Sequence, residues 1–250
     1  MSIPNLPEDQ HNIEIHENLR RWQNKPLLQK IYYDFYKIIA SEINHEIRGK
    51  IVELGSGIGN LKMVIPDVIC TDIFANPWID QVENAYKLSF ENETVSNLIL
   101  FDVFHHLEFP GTALNEFQRV LKKGGRVIIF DPTVSLLGLF VYGLFHHEPL
   151  GLFKKIKWYS SENSNLGKYY AAQSNAWKVF CSRRYKELLS QWKLKRVSKF
   201  SAISYVLSGG YSKYQLYPIK LYPFMKFIDK ILNYISFIFA TRILVVIEKK

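Results

Sequence analysis

The chain has 250 residues, 48% of them hydrophobic and 15% aromatic, which suits one globular domain of generous size rather than a disordered or fibrous chain. Two cysteines, Cys70 and Cys181, are too few for a disulfide framework or a cysteine-based metal centre, so the expected compartment is reducing and cytoplasmic. The net charge of +9 is segregated: residues 1–150 hold 13 Lys and Arg against 19 Asp and Glu (−6), and residues 151–250 hold 19 against 4 (+15), which points to an anionic ligand or surface for the second part, or to a merely solvated basic face.

The opening MSIPNLPEDQHN is polar and has no apolar signal core. Residues 12–48 read as helical. Leu27, Leu28, Ile31, Phe35, Ile38 and Ile39 recur at three- and four-residue spacing, and Pro26 is placed as a first-turn proline. Tyr32, Tyr33 and Tyr36 add aromatic surface, as packing groups or as the lid of a pocket. A short apolar strand follows over 50–54, carrying Glu53 near its end and Gly55, Gly57 and Gly59 just after it. Such glycines let the chain turn sharply and let a ligand lie against bare peptide.

Asn60–Ile65 is a brief helical turn closed by Pro66, and Val68–Asp72 is a second strand ending on an acid. Asp72 is placed to accept from a ribose diol. The glycine spacing is G-x-G-x-G, with Asn60 where a dinucleotide loop needs its third glycine, so a dinucleotide site is disfavoured. The segment 73–81 contains Asn76-Pro77 and has no room for a full crossover helix before a third strand at 81–84, although parallel crossovers normally take a dozen or more residues. Val95–Phe101 is the fourth strand. Thr112–Lys122 is an amphipathic helix stopped by Gly124-Gly125, and Arg126–Phe130 is a fifth strand fit for a sheet centre.

After Asp131-Pro132 the chain becomes aromatic, basic and irregular to residue 180. A helix is expected over Tyr185–Trp192, a strand over Leu194–Phe200, a turn at Ser208–Ser212, a helix over Leu221–Ile235 and a closing strand over Ile243–Glu248. Leu136–Phe145 is too short to span a bilayer, which takes roughly 20 residues. The stretch Phe227–Ile247 is broken by Asp229, Lys230 and Arg242, so it is expected to graze a membrane and not to cross one.

Four motifs in order resemble a class I S-adenosylmethionine-dependent methyltransferase of the methyltransferase type 11 kind, over residues 50–132. They are Glu53-Leu-Gly-Ser-Gly-Ile-Gly59, Asp72, Asn84-Ala-Tyr-Lys-Leu-Ser-Phe90, and Phe101-Asp-Val-Phe-His-His-Leu107 followed by Leu114-Asn-Glu-Phe-Gln-Arg-Val-Leu-Lys-Lys-Gly-Gly125. Asn84 stands where the family has Asp, and Ser89 where it has Pro. The resemblance implies an α/β fold: a doubly wound, mostly parallel, seven-stranded Rossmann-like sheet, from which this chain departs in its shortened helices after strands one and two, with an insertion expected after strand five. It implies one domain over 1–250, divided into a helical cover (12–48), a cofactor core (50–132), an acceptor-side insertion (133–192) and closing elements (193–250). S-adenosyl-L-methionine is the implied cofactor. Glu53 would orient its amino acid part, Gly55, Ser56 and Gly57 would carry that part on backbone, Asp72 would take the ribose, Ile73 would pack on adenine, Asn84 and Ala85 would meet the adenine edge, and Phe101 would offer a backbone contact.

Methyl transfer is an in-line displacement, so proximity and alignment supply much of the catalysis, and a base is needed only where the nucleophile must lose a proton. The expected base candidates are His147 with Glu148, from His146-His147-Glu148-Pro149, and His106. Each is also readable as a structural polar group, and no spacing demands a metal. The chain lacks the (N/D)-P-P-(Y/F) motif that marks enzymes acting on planar amino groups. The later residues resemble, less specifically, the tails of methyltransferases associated with cell-surface polysaccharides. An anionic or sugar-containing acceptor, with peripheral contact at the inner membrane surface, is therefore expected, with an RNA acceptor or a non-catalytic cofactor-binding role as alternatives.

Overall fold

The computed structural model describes residues 7–144, 149–162, 164–166 and 169–250. The apolar runs of the first half form strands β1 (Lys50–Leu54), β2 (Ile69–Asp72), β3 (Gln81–Val82), β4 (Val95–Phe101) and β5 (Leu121–Pro132), and the last third adds β6 (Trp192–Phe200) and β7 (Arg242–Lys249). They make one seven-stranded sheet in the order β3-β2-β1-β4-β5-β7-β6. Only β7 runs against the rest.

Every residue of β4 is buried, as a central parallel strand with both faces covered requires. Its side chains alternate between two cores. Leu98 and Leu100 pack with Leu114 and Phe117 of α3 (Pro110–Val120) and Val179 of α5 (Asn175–Cys181). Ile99 and Phe101 face Leu28, Ile31 and Phe35 of α2 (Pro26–Ala40). The spacing-derived stripe of α2 is buried at Leu27, Leu28, Ile31, Phe35 and Ile39, as are Tyr32 and Tyr36, whereas Tyr33 is exposed. A preceding helix, α1 (Pro7–Asn24), lies over the loops beyond β2.

The shortened crossovers are present. A single 3-10 turn, Asn60–Met63, lies between β1 and β2, and no helix lies between β2 and β3. Asp80 does the work of the missing helix. Its amide donates to the Cys70 carbonyl and its Oδ2 accepts from the Cys70 amide, both at 2.8 Å. That carboxylate also holds Lys62 at 2.7 Å.

Several boundaries differ from the expectation. α3 ends at Val120, and Lys122 to Gly125 belong to β5, with Gly124 at φ +76°. β3 is two residues long instead of four. Tyr185–Trp192 is not a helix: a 3-10 turn at Arg183–Tyr185 leads into turns, because Trp192 is already paired with Lys249 in the sheet. Short helices α4 (Leu136–Leu144), α6 (Ile203–Leu207) and α8 (Ser236–Phe239) appear in stretches read as irregular or as the edge of another element. α7 (Tyr222–Leu232) matches the expected helix with one 3-10 turn after it. No helix among the described residues is long and apolar enough to cross a membrane.

Register fixes which end of the sheet matters. Phe200 pairs with Arg242, and Arg242 with Pro132. The segment between β6 and β7, which carries α6, α7 and α8, therefore sits at the same end as the last residues of β1, β2, β4 and β5. In open α/β sheets that is the ligand-binding end.

Candidate functional site

Leu54 lies between Thr71 and Leu100, so Gly55, Asp72 and Phe101 lie together at that end. Gly55, Gly57 and Gly59 all have left-handed backbone, with φ of +67°, +54° and +66°. A Cβ on Gly55 would fall 2.4 Å from Val103 Cγ2, whereas one on Gly57 would meet nothing within 4 Å. The peptide at Gly57 thus borders open space, which is what a ligand laid on bare backbone needs. Its amide donates to Asp72 Oδ2 at 2.9 Å. Ser56 staples the loop to β2: its amide donates to the Thr71 carbonyl at 2.8 Å, and its hydroxyl accepts from the Thr71 amide at 3.0 Å.

Glu53 is buried at the end of β1, with the Cys70 thiol 3.8 Å from its Oε2. Burial pushes its pKa up to about 8, against hydrogen bonds from Ser56 and Cys70, while the charge of Asp72 adds to the rise. Asn60 follows Gly59 and lies close to Tyr36 and Tyr211. Its Nδ2 is buried without a hydrogen-bond partner among the described residues. A buried carboxyl beside an unused amide donor suits the ammonium and carboxylate of an amino acid group.

Asp72 is buried at the end of β2, and its Oδ1 accepts from its neighbour's amide, Ile73 N, at 2.7 Å. His11 of α1 also reaches it, Nε2 to Oδ1 at 3.1 Å. Burial opposes protonation of His11, and the hydrogen bond and charge of Asp72 outweigh it, leaving the imidazole pKa raised. Ile73 keeps an exposed apolar face beside this acid. The Glu83 amide donates to the Asp72 carbonyl at 2.8 Å, which brings the Asn84-Ala85 turn alongside. Asn84 Oδ1 accepts from the Tyr86 amide at 2.9 Å, so that side chain shapes the turn, and Ala85 packs on the core.

Phe101 is buried among Tyr32, Phe35, Tyr36 and Phe130. Asp102, next to it, is a non-glycine residue held at φ +55°. Its Oδ1 is bonded to Arg242, whose guanidinium is buried and lies over the Tyr205 ring at 4.6 Å. Asp102 itself keeps 30% of its side chain exposed. Burial raises the Asp102 pKa, with Arg242 pulling the other way.

His106 is half-buried, with its ring 4.0 Å from that of His105 and Nδ1 2.9 Å from the Tyr170 carbonyl. His105 is buried with Nδ1 3.1 Å from Asp131 Oδ1, and its carbonyl accepts from the Ala172 amide at 3.0 Å. The two histidines thus dock the segment around 170 onto the end of β4. His147 and Glu148 lie outside the described residues.

The structure therefore gathers Glu53, Gly55, Ser56, Gly57, Asp72, Ile73, Asn84, Ala85 and Phe101 at one end of the sheet. Four neighbours escaped the sequence reading: His11, Asn60, Asp102 and Arg242. Asp102 stood inside a quoted motif, and its acidic side chain at a strand end was the available signal. His11 and Arg242 reach the site only through the fold.

Residues 52–129 match the model of a family described as a methyltransferase domain. No curated protein matches the chain. Among solved structures, an S-adenosylmethionine-dependent methyltransferase of Thermotoga maritima, a possible histamine N-methyltransferase, superposes with a TM-score of 0.54 at 15% identity, over 94% of this chain and 99% of that one. The methyltransferase chain of a Haloferax volcanii complex with the Trm112 methyltransferase activator gives 0.55 at 12% identity, over 97% and 96%. A geranyl diphosphate C-methyltransferase of Streptomyces coelicolor, solved with Mg2+, geranyl-S-thiolodiphosphate and S-adenosyl-L-homocysteine, gives 0.51 at 13% identity, over 87% and 76%. At these identities the likeness carries the fold, and the acceptors named for those proteins differ from one another.

Proposed function

We propose that this protein is an S-adenosylmethionine-dependent methyltransferase, a reading supported by the methyltransferase-domain match over residues 52–129 and by the fold, and that it methylates a hydroxyl oxygen of a sugar or similar hydroxyl-bearing, anionic acceptor, with residues 133–250 forming the acceptor side. When bound, S-adenosylmethionine supplies an electrophilic methyl group and a neutral thioether leaving group. Glu53 and Asn60 would hold the amino acid end, the Gly57 peptide would lie beneath it, and Asp72 would accept from the ribose. Ile73 would pack on the adenine.

The observation that carries the oxygen reading is Asp102. A hydroxyl must lose its proton as it attacks, and a carboxylate whose pKa is raised by burial is a better base than a fully solvated one. Asp102 follows Phe101 at the cofactor end of β4, and its left-handed backbone and bond to Arg242 fix where its carboxylate points. Proton acceptance there needs no metal and no movement of the sheet. The +15 balance of residues 151–250 supports an acceptor bearing phosphate or carboxylate groups.

The test is transfer of labelled methyl from the cofactor to a whole-cell glycan and glycolipid extract. Asp102→Asn keeps the polar shape and removes the base. Turnover is expected to fall roughly 10²- to 10⁴-fold while S-adenosylhomocysteine still raises the melting temperature. Equal turnover in the variant would remove Asp102 from the reaction. A labelled product whose methyl sits on nitrogen or carbon would overturn the oxygen reading, and label found only in RNA would replace it with an RNA acceptor.

A further inference from the structure

α7 is apolar on both sides: Tyr222 and Met225 pack on the core, and a second apolar stripe is turned outward. Its inward side carries Tyr222 and the acid Asp229, and its outward side carries Phe224, Phe227 and Ile231 at three- and four-residue spacing. Phe224 and Phe227 are each 58% exposed, and the turn after the helix adds Tyr234 at 87%. We infer that this outward face, Phe224, Phe227, Ile231 and Tyr234 with Phe237 of α8, docks the protein on an anionic lipid surface.

The orientation of the helix is specified. Asp229 Oδ1 accepts from Ser201 Oγ at 2.8 Å and from the Ile203 amide at 2.7 Å, and its Oδ2 accepts from the Ser204 amide at 3.2 Å. The Tyr222 hydroxyl donates to Asp34 at 2.7 Å, and Asn233 Oδ1 accepts from the Ser201 amide at 2.7 Å. Rotating the helix to bury its phenylalanines would break these bonds and leave a buried carboxylate unpaired, which is costly. The apolar stripe is therefore held outward, and an exposed contiguous apolar patch marks an interaction surface.

Charge identifies the occupant. Lys220, Lys226 and Lys230 are exposed around the stripe, and the acid of the helix, Asp229, is turned inward. Asp34 offsets Lys226 alone. Aromatic and aliphatic side chains flanked by lysines suit the interface of a bilayer carrying acidic headgroups, whose charge attracts each lysine. A second copy of the chain would set the same lysines against each other in a two-fold contact. By contrast, Lys193, Lys195 and Arg196 of β6 lie in ion pairs with Glu248 and Glu42, so the charge of that strand is partly offset. α7 and α8 lie at the glycine-loop end of the sheet, so docking brings that end to the membrane.

Co-sedimentation with phosphatidylglycerol–phosphatidylcholine vesicles tests this without any methyl acceptor. The protein is expected to pellet with mixed vesicles, to stay in solution with pure phosphatidylcholine, and to be released by salt. Phe227→Ser with Ile231→Ser is expected to weaken partitioning roughly tenfold or more, and Lys220→Glu with Lys230→Glu to abolish the preference for acidic lipid. These side chains face solvent, so circular dichroism and the cofactor-product melting shift should be unchanged. A Tyr234→Trp variant gives an independent reading, in which an added fluorescence blue shift with mixed vesicles supports insertion. The inference is overturned if the unaltered protein ignores acidic vesicles, if the serine variant binds them equally, or if sedimentation equilibrium shows a dimer that the serine variant dissociates.

Discussion

Glu53 is a carboxyl buried at a strand end, with a thiol and a hydroxyl as company and no cation as a partner among the described residues. Burial raises its pKa to about 8, and an ammonium group is a partner that the position suits. The folded protein keeps the Glu53 proton to about pH 8, while the unfolded chain releases it near 4.5. Between those values the native state binds the extra proton, so stability should fall as pH rises. His11 acts with the same sign, since its contribution is present at low pH and is lost as pH climbs through its raised pKa. The melting temperature of the free protein is therefore expected to decline from about pH 5 to about pH 8, and Glu53→Gln should flatten that decline. Pairing with an ammonium reverses the preference. Binding of S-adenosylhomocysteine at pH 7 should release a proton, visible as a calorimetric enthalpy that depends on the buffer. A melting temperature that climbs across the window, or binding without proton release, would mean that Glu53 is already ionised.

The glycine loop shows how one sequence pattern can hold two unlike requirements. Gly55 is glycine because Val103 occupies the room for a side chain, while Gly57 is glycine with its room vacant. Alanine at 57 should cost only about 1 kcal/mol, for the left-handed backbone, yet weaken S-adenosylhomocysteine binding tenfold or more by filling the ligand's space. Alanine at 55 should cost more stability, and Val103→Ala should restore part of it. Isothermal titration and urea unfolding separate the two effects, and unaltered binding by Gly57→Ala would sink the assigned ligand position. The loop and the strands around it were legible because their signals are local. Short stretches rich in Ile, Val and Leu gave β1 and β4 to the residue, and the α2 stripe came from its period. Tyr185–Trp192 misled because its apolar spacing fits a helix, although Trp192 serves the sheet and Leu188 is exposed. His11 on Asp72 and Arg242 on Asp102 were invisible for another reason: they join residues 61 and 140 positions apart, the first through the packing of α1 over the loops beyond β2 and the second through the place of β7 in the sheet.

At the scale of the whole molecule, the last strand made is the one that completes the site. β7 enters between β5 and β6, and its first residue, Arg242, delivers a buried guanidinium to Asp102 at the end of β4. The acidic first part of the chain and the basic second part are thus fastened at the point where cofactor and acceptor would meet. Replacing one member of such a pair strands the other in a poorly solvated place, which is worse than replacing both. Arg242→Met is expected to destabilise by about 2–4 kcal/mol, less than a fully buried pair because Asp102 is partly exposed. Asp102→Asn should cost less, since asparagine tolerates left-handed backbone and still accepts from Arg242. The double variant should recover a good part of the loss, a coupling that urea denaturation of all four proteins measures directly. Additive losses would show that Arg242 and Asp102 act independently, and the sheet would then close without help from the site it completes.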